Sequence, residues 1–164
     1  MFLNDSGLGA ELSLGLVGGS GAVESQDGGT PDAADPHLFL LGQRELDRHH
    51  LTLLRCLKDL VTSSMGKDRE QAAAAASDLF EAWMAHCRSE KALMESCNWP
   101  DLKQHLVDHN RLTLAISTLL CEQGEVGGML ELAGMAEFFI RYLREHLDRY
   151  DRPLALHLQA QGRR

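Results

Sequence analysis

The chain has 164 residues, 44% of them apolar and 24% charged, with a formal charge of −8. That length supports one folded domain with a single core, and the acidic balance excludes the basic footprint of a nucleic-acid-binding surface. No apolar run approaches the roughly 18–20 residues needed to span a bilayer, and no basic, cleavable leader opens the chain, so a soluble cytoplasmic protein without a membrane partner is expected.

Leu, Met and Ala are abundant while Val and Ile are scarce, which favours helix over strand and predicts an all-α fold. Residues 1–36 are rich in Gly, Ser, Ala and Asp and keep no sustained period, so they read as a flexible N-terminal arm. From about Gly42, Leu46, His50, Leu53, Leu54, Leu57, Leu60 and Val61 recur at three- and four-residue steps and predict a first helix. It ends around residues 62–66, and Asp68 followed by Gln71 resembles a capping box that starts a second helix. The second carries Leu79, Trp83, His86, Glu90, Met94 and Cys97 on one stripe. Asn98, Trp99, Pro100 and Asp101 break it, with Pro100 and Asp101 suited to the first turn of a third helix.

The third helix carries Leu102, His105, His109, Leu112, Ile116 and Leu119 or Leu120, and ends near Gly124. A fourth begins around Val126, carries Leu132, Met135, Phe139, Tyr142, Leu143 and His146, and ends before Pro153. Short connections between amphipathic helices predict an antiparallel, up-down-up-down four-helix bundle over residues 37–155, followed by a C-terminal tail at 156–164, with about a turn of helix expected over Leu154 to Gln161. Cys56, Cys87, Cys97 and Cys121 form no C-x-x-C and fall within helical patterns, so they are expected to be reduced, packed thiols.

Histidines concentrate where apolar residues belong. His50, His86, His105, His109 and His146 fall on the inward faces of all four helices. His86 and Glu90 stand four apart, as do His105 and His109, so each pair projects from one side of its helix. One imidazole on an apolar face is ordinary; five with a glutamate would be costly to desolvate unless paired or bound to metal. Asp151 is a seventh candidate at an awkward interval, because five residues in a regular helix carry it off the face of His146. Pro153 disfavours helical geometry at Arg152, and the expectation is that Asp151 swings back from a fraying helix end. Five imidazoles and two carboxylates exceed one first-row ion and suit two; iron, zinc, manganese and copper all tolerate such ligands.

These residues resemble the hemerythrin family over roughly Leu38 to Leu154. GQRELDRHHLTL (Gly42 to Leu53) is similar to its first ligand motif, HCRSEKALM (His86 to Met94) to the second, WPDLKQHLVDH (Trp99 to His109) to the third and YLREHLDRYD (Tyr142 to Asp151) to the fourth. The resemblance implies a non-heme pair of iron ions, one held by His105, His109 and His146 and the other by His50 and His86, bridged by Glu90, Asp151 and an oxo or hydroxo group. It further implies a protein that is not an enzyme and binds dioxygen reversibly as a hydroperoxide at a five-coordinate iron, for oxygen storage, delivery or sensing. Leu53, Phe80, Tyr142 and Leu143 are the candidate oxygen-pocket residues.

Three positions depart from the family pattern: Tyr142 stands where many relatives have Trp, Trp99 where many have Tyr, and His49 where Gln is common. Tyr142 brings a hydroxyl toward the oxygen pocket or to its rim. The alternatives are a di-iron redox enzyme acting on peroxide or nitric oxide, and a sensor signalling through the N-terminal arm to a protein partner.

Overall fold

The computed structural model describes residues 36–66, 68–122 and 129–163. The expected arm and the expected ends near Gly124 and Val126 lie outside them. Among the described residues the chain is all-helical: a 3₁₀ turn at Pro36–Phe39, α1 at Arg44–Met65, α2 at Arg69–Ser96, α3 at Leu102–Glu122, α4 at Met129–His146, a π-helical turn at Leu147–Asp151, and α5 at Arg152–Ala160. Helix α1 packs on α2 and α4, and α2 also packs on α3, as in a helical bundle. No helix among the described residues is long and apolar enough to cross a membrane.

Local chemistry sets the boundaries. The Asp68 side chain accepts a hydrogen bond from the Gln71 N–H at 3.0 Å, an N-cap contact that stabilises α2 by about 1 kcal/mol. At the start of α1, Asp47 reaches back to accept from the Leu41 and Gly42 N–H groups, at 2.6 and 3.1 Å. Gly42 has φ +73°, which a side chain would oppose. The corner after α2 turns on Asn98, whose φ of +55° is the left-handed conformation Asn tolerates better than most residues. Around it Trp99 N–H donates to the Met94 carbonyl at 2.9 Å and Asn98 N–H to the Glu95 carbonyl at 3.4 Å, the bond pair of a Schellman ending.

The apolar interior has two parts. A large cluster includes Leu46, Leu53, Leu60, Leu79, Trp83, Ile116, Phe139 and Leu143; a smaller one holds Met94, Cys97, Leu154 and Leu158. Each fully buried leucine of these clusters contributes about 1.5–3 kcal/mol. A polar layer lies between them along the helices: α2 runs Trp83, His86, Glu90, Met94, and α3 runs Leu106, His109, Leu112. Cys56, Cys87 and Cys97 are free thiols, with Cys56 and Cys97 buried.

At the C-terminal end one expectation needs correction and another is extended. The chain does not fray before Pro153: Asp151 and Arg152 both keep right-handed helical dihedrals, and Pro153 sits in the first turn of α5, where its missing N–H is no loss. The helix expected at Leu154 to Gln161 is present and longer than one turn: α5 runs from Arg152 to Ala160 and buries Leu154, Ala155 and Leu158. Gln43 Nε2 donates to the Arg163 carbonyl and Gln159 Nε2 to the Leu41 carbonyl, at 2.8 and 3.1 Å, so the end of α5 and the residues after it close over the entry to α1. Packing of Leu154, Ala155 and Leu158 overrides the local preference against helix before a proline.

Candidate metal centre

Each helix delivers its polar side chains from within an apolar stripe. On α2 the four-residue step places His86 and Glu90 one turn apart, with His86 Nε2 3.4 Å from Glu90 Oε2. On α3 the same step stacks His105 and His109, ring centroids 4.5 Å apart. His50 comes from α1 and His146 from the last residue of α4.

Asp151 arrives by a different route. Between Leu147 and Asp151 the backbone is π-helical, and Arg152 N–H donates to the Leu147 carbonyl five residues back. Bonding at i→i+5 fits one extra residue into the turn, so a residue five along returns over the first. Asp151 Oδ1 consequently stands 3.0 Å from His146 Nε2. An interval that a regular helix forbids becomes the matching one.

All seven sequence-predicted ligand residues meet. His50, His86, Glu90, His105, His146 and Asp151 are at most 1% exposed and His109 is 2% exposed. Their donor atoms fall into overlapping groups that could hold a metal ion: His86, Glu90, His109 and His146; His50, His86, Glu90 and Asp151; and Glu90, His105, His146 and Asp151. Nε2 of His105 and Nε2 of His109 each lie 3.2 Å from Nε2 of His146. Nitrogens bonded to one ion at ~2.1 Å and at right angles would be about 3 Å apart. The two Asp151 oxygens divide: Oδ1 lies 3.1 Å from His105 and 3.0 Å from His146, while Oδ2 lies 3.2 Å from His50 and 4.0 Å from His86. Glu90 Oε2 lies 3.0 Å from His105 and 3.1 Å from His109.

The residues fit a cation better than they fit one another. His86 Nε2, both Glu90 oxygens and Asp151 Oδ1 are buried with no hydrogen bond directed at them among the described residues, although His86 Nε2, Glu90 Oε2 and Asp151 Oδ1 have neighbours at 3.0–3.4 Å. Lone pairs left unmatched in a dry interior are costly, and a bound ion would satisfy several at once. Imidazole nitrogen with carboxylate oxygen is a donor set for borderline first-row metals.

Electrostatics divide the five imidazoles. Burial pushes the His86 imidazole down to about 3, which keeps it neutral and able to donate a lone pair. Burial also lowers His109. For His50, His105 and His146 burial acts downward too, but the Asp151 carboxylate and its neighbours outweigh it and raise them above the ordinary value. Burial raises Glu90 and Asp151, yet the surrounding imidazoles hold both well below the usual carboxylate range.

Outside the donor atoms, His50 Nδ1–H donates to the Phe39 carbonyl at 2.9 Å and His146 Nδ1–H to Asp108 Oδ2 at 2.7 Å, leaving Nε2 of each ring to face the cluster. Asp108 is the residue that sequence reasoning missed. Its signal was a carboxylate beside a ligand histidine, in reach of a ring on the next helix. Trp83 forms one wall, its ring 5.2 Å from His86, 5.4 Å from His109 and 5.7 Å from His146.

Of the candidate pocket residues, Leu53 and Leu143 are fully buried in the large apolar cluster, and Phe80 and Tyr142 are half-buried against it. The Tyr142 hydroxyl donates to the Asp108 carbonyl at 2.9 Å, which commits it to the α3 backbone. His49 is half-buried, its ring 6.3 Å from that of His86. Trp99 packs on the small cluster with its ring 5.0 Å from His157. Comparison with family models, with curated proteins and with solved structures gives no match.

Proposed function

We propose that this chain is a hemerythrin-like, antiparallel four-helix bundle that holds two non-heme iron ions and binds dioxygen reversibly without turning it over. The observation that carries the reading is the division of the Asp151 oxygens: Oδ1 turns to His105 and His146, and Oδ2 to His50. A carboxylate facing two imidazole groups in opposite directions is suited to bridging two ions. His105, His109 and His146 would hold one, His50 and His86 the other, with Glu90 as the second bridge. The four sequence motifs, which supply these ligands in the family's intervals, support iron over other borderline metals.

Iron held in its reduced state by these five imidazoles and two carboxylates would supply the electrons that dioxygen accepts on binding. The protein's part is to present neutral imidazoles and keep water out. Trp83, Leu53 and Leu143 are fully buried and give the site a dry apolar margin, which disfavours loss of a polar oxygen product. Five neutral donors against two carboxylates leave little negative charge to stabilise highly oxidised iron, which favours binding over oxygen activation.

Anaerobic iron loading, followed by absorption spectra over repeated oxygen and argon exchange, tests the reading. Two irons per chain with charge-transfer bands that appear and vanish over many cycles are expected. One-way oxidation with turnover of peroxide or nitric oxide would instead establish the redox enzyme, and uptake of zinc with indifference to iron would remove the oxygen reading.

A further inference from the structure

The five imidazoles are anchored unequally at their outer nitrogens. His146 Nδ1 has a carboxylate, Asp108 Oδ2, at 2.7 Å, and the side chain of Asp108 is only 12% exposed. His50 Nδ1 has only a backbone carbonyl, at 2.9 Å. Nδ1 of His86, His105 and His109 has no hydrogen-bond partner among the described residues. Asp108 is itself held in place: it lies within α3 between His105 and His109, and the Tyr142 hydroxyl from α4 fastens its carbonyl at 2.9 Å. Tyr142 and His146 are one turn apart on α4, so the two helices meet through a pair of hydrogen bonds that both end on Asp108.

A carboxylate accepting the outer N–H of an imidazole fixes its tautomer and orientation and increases its basicity as a ligand. The charge-assisted bond is roughly twice as strong as one to a neutral carbonyl. We propose that Asp108 is a positioning residue for His146, and that it makes the ion held by His105, His109 and His146 bind more tightly and favour its oxidised state more than the ion held by His50 and His86. This rests on the two-ion reading above. The pair would be unequal by construction: one ion would have three imidazoles, one of them carboxylate-anchored, and the other two, of which one has a carbonyl anchor.

The test compares the wild type with Asp108→Asn, which keeps an acceptor and loses the charge, and Asp108→Leu, which removes both. Apo protein is titrated with Co(II) by calorimetry, and the iron-loaded forms are followed by spectroelectrochemistry. One of two binding events should weaken about 10-fold in Asp108→Asn and up to about 100-fold in Asp108→Leu, with the other unchanged. In the iron form, the potential of one ion should rise by about 59 mV for each tenfold loss of preference for the oxidised state.

Unchanged affinities and potentials in Asp108→Asn would overturn the proposal. So would equal weakening of both events together with a lower melting temperature, because Asp108 would then serve only the fold. If Asp108→Leu does not fold, Asp108→Asn decides alone. A wild-type chain that takes up no Co(II) and no iron removes the metal-centre reading itself, a result visible before any variant is made.

Discussion

Glu90 and Asp151 reach the same cluster from backbones that differ. Glu90 shares a regular helix with His86 at a four-residue step, while Asp151 shares a π turn with His146 at a five-residue step. The first arrangement follows from ordinary helix geometry and needs no tertiary support. The second places an irregular turn between two helices, and it is held by what packs beyond it: Leu154 and Leu158 in the small cluster, and the polar bonds that tie residues 159 and 163 to the start of α1. Identical side-chain chemistry can therefore depend on local structure at one end of a site and on remote packing at the other.

The largest effect should come from removing the carboxylate at the irregular end. Asp151→Ala deletes the group that faces both imidazole sets, and iron content measured per chain should fall from two to one or none; two tightly held ions in that variant would rule out the bridge. Acid should also release metal. Because His50, His105 and His146 are raised in the metal-free protein and Glu90 and Asp151 are lowered, the signs oppose each other. The raised histidines stabilise the metal-free fold below their unfolded value of 6.5, and this is lost as pH rises through their folded values. The lowered carboxylates stabilise it above 3.8–4.5, and this is lost as pH falls through their folded values. His86 and His109, held low by burial, act against the raised histidines and cost the metal-free fold stability as pH falls below 6.5. Metal must displace protons from the raised imidazoles of His50, His105 and His146, so its affinity should climb about tenfold per pH unit for each proton released. A pH-independent affinity between pH 6 and 8 would contradict the ligand assignment.

Remote support can be probed by Leu158→Ala, which should cost about 2–5 kcal/mol in urea unfolding and loosen metal retention at the Asp151 end. A cost below 1 kcal/mol would mean that α5 does not hold the π turn. Deleting the exposed Arg149 sharpens the comparison further, because it would convert the five-residue step into the four-residue step used by the other pairs. Iron uptake should persist at wild-type stoichiometry. If uptake is lost as completely as in Asp151→Ala, the π turn itself sets the ligand geometry. The smallest effect is expected at the α2–α3 corner, where Asn98→Ala should cost about 1 kcal/mol and Asn98→Gly almost nothing. Equal costs for the two would remove the left-handed requirement.

Much of this was legible in the residues. The periodic leucines of α1, the Asp68 cap, the break at Asn98 and the four-residue ligand pairs all follow from helix geometry, which acts over a few neighbours and leaves its mark in spacing. That inward-facing histidines are too many for a plain core follows from composition alone.

Tertiary structure decided the rest. No local rule gives a π turn at residues 147–151; the proline two residues later predicts fraying, and only the packing of α5 reverses that preference. Asp108 carries no periodic signature, and its bond to His146 exists because α3 and α4 bring distant parts of the chain within 2.7 Å. Spacing along a helix fixes which side chains share a face. Which faces meet, and which carboxylate stands behind which imidazole, depends on contacts the chain makes only once it has folded.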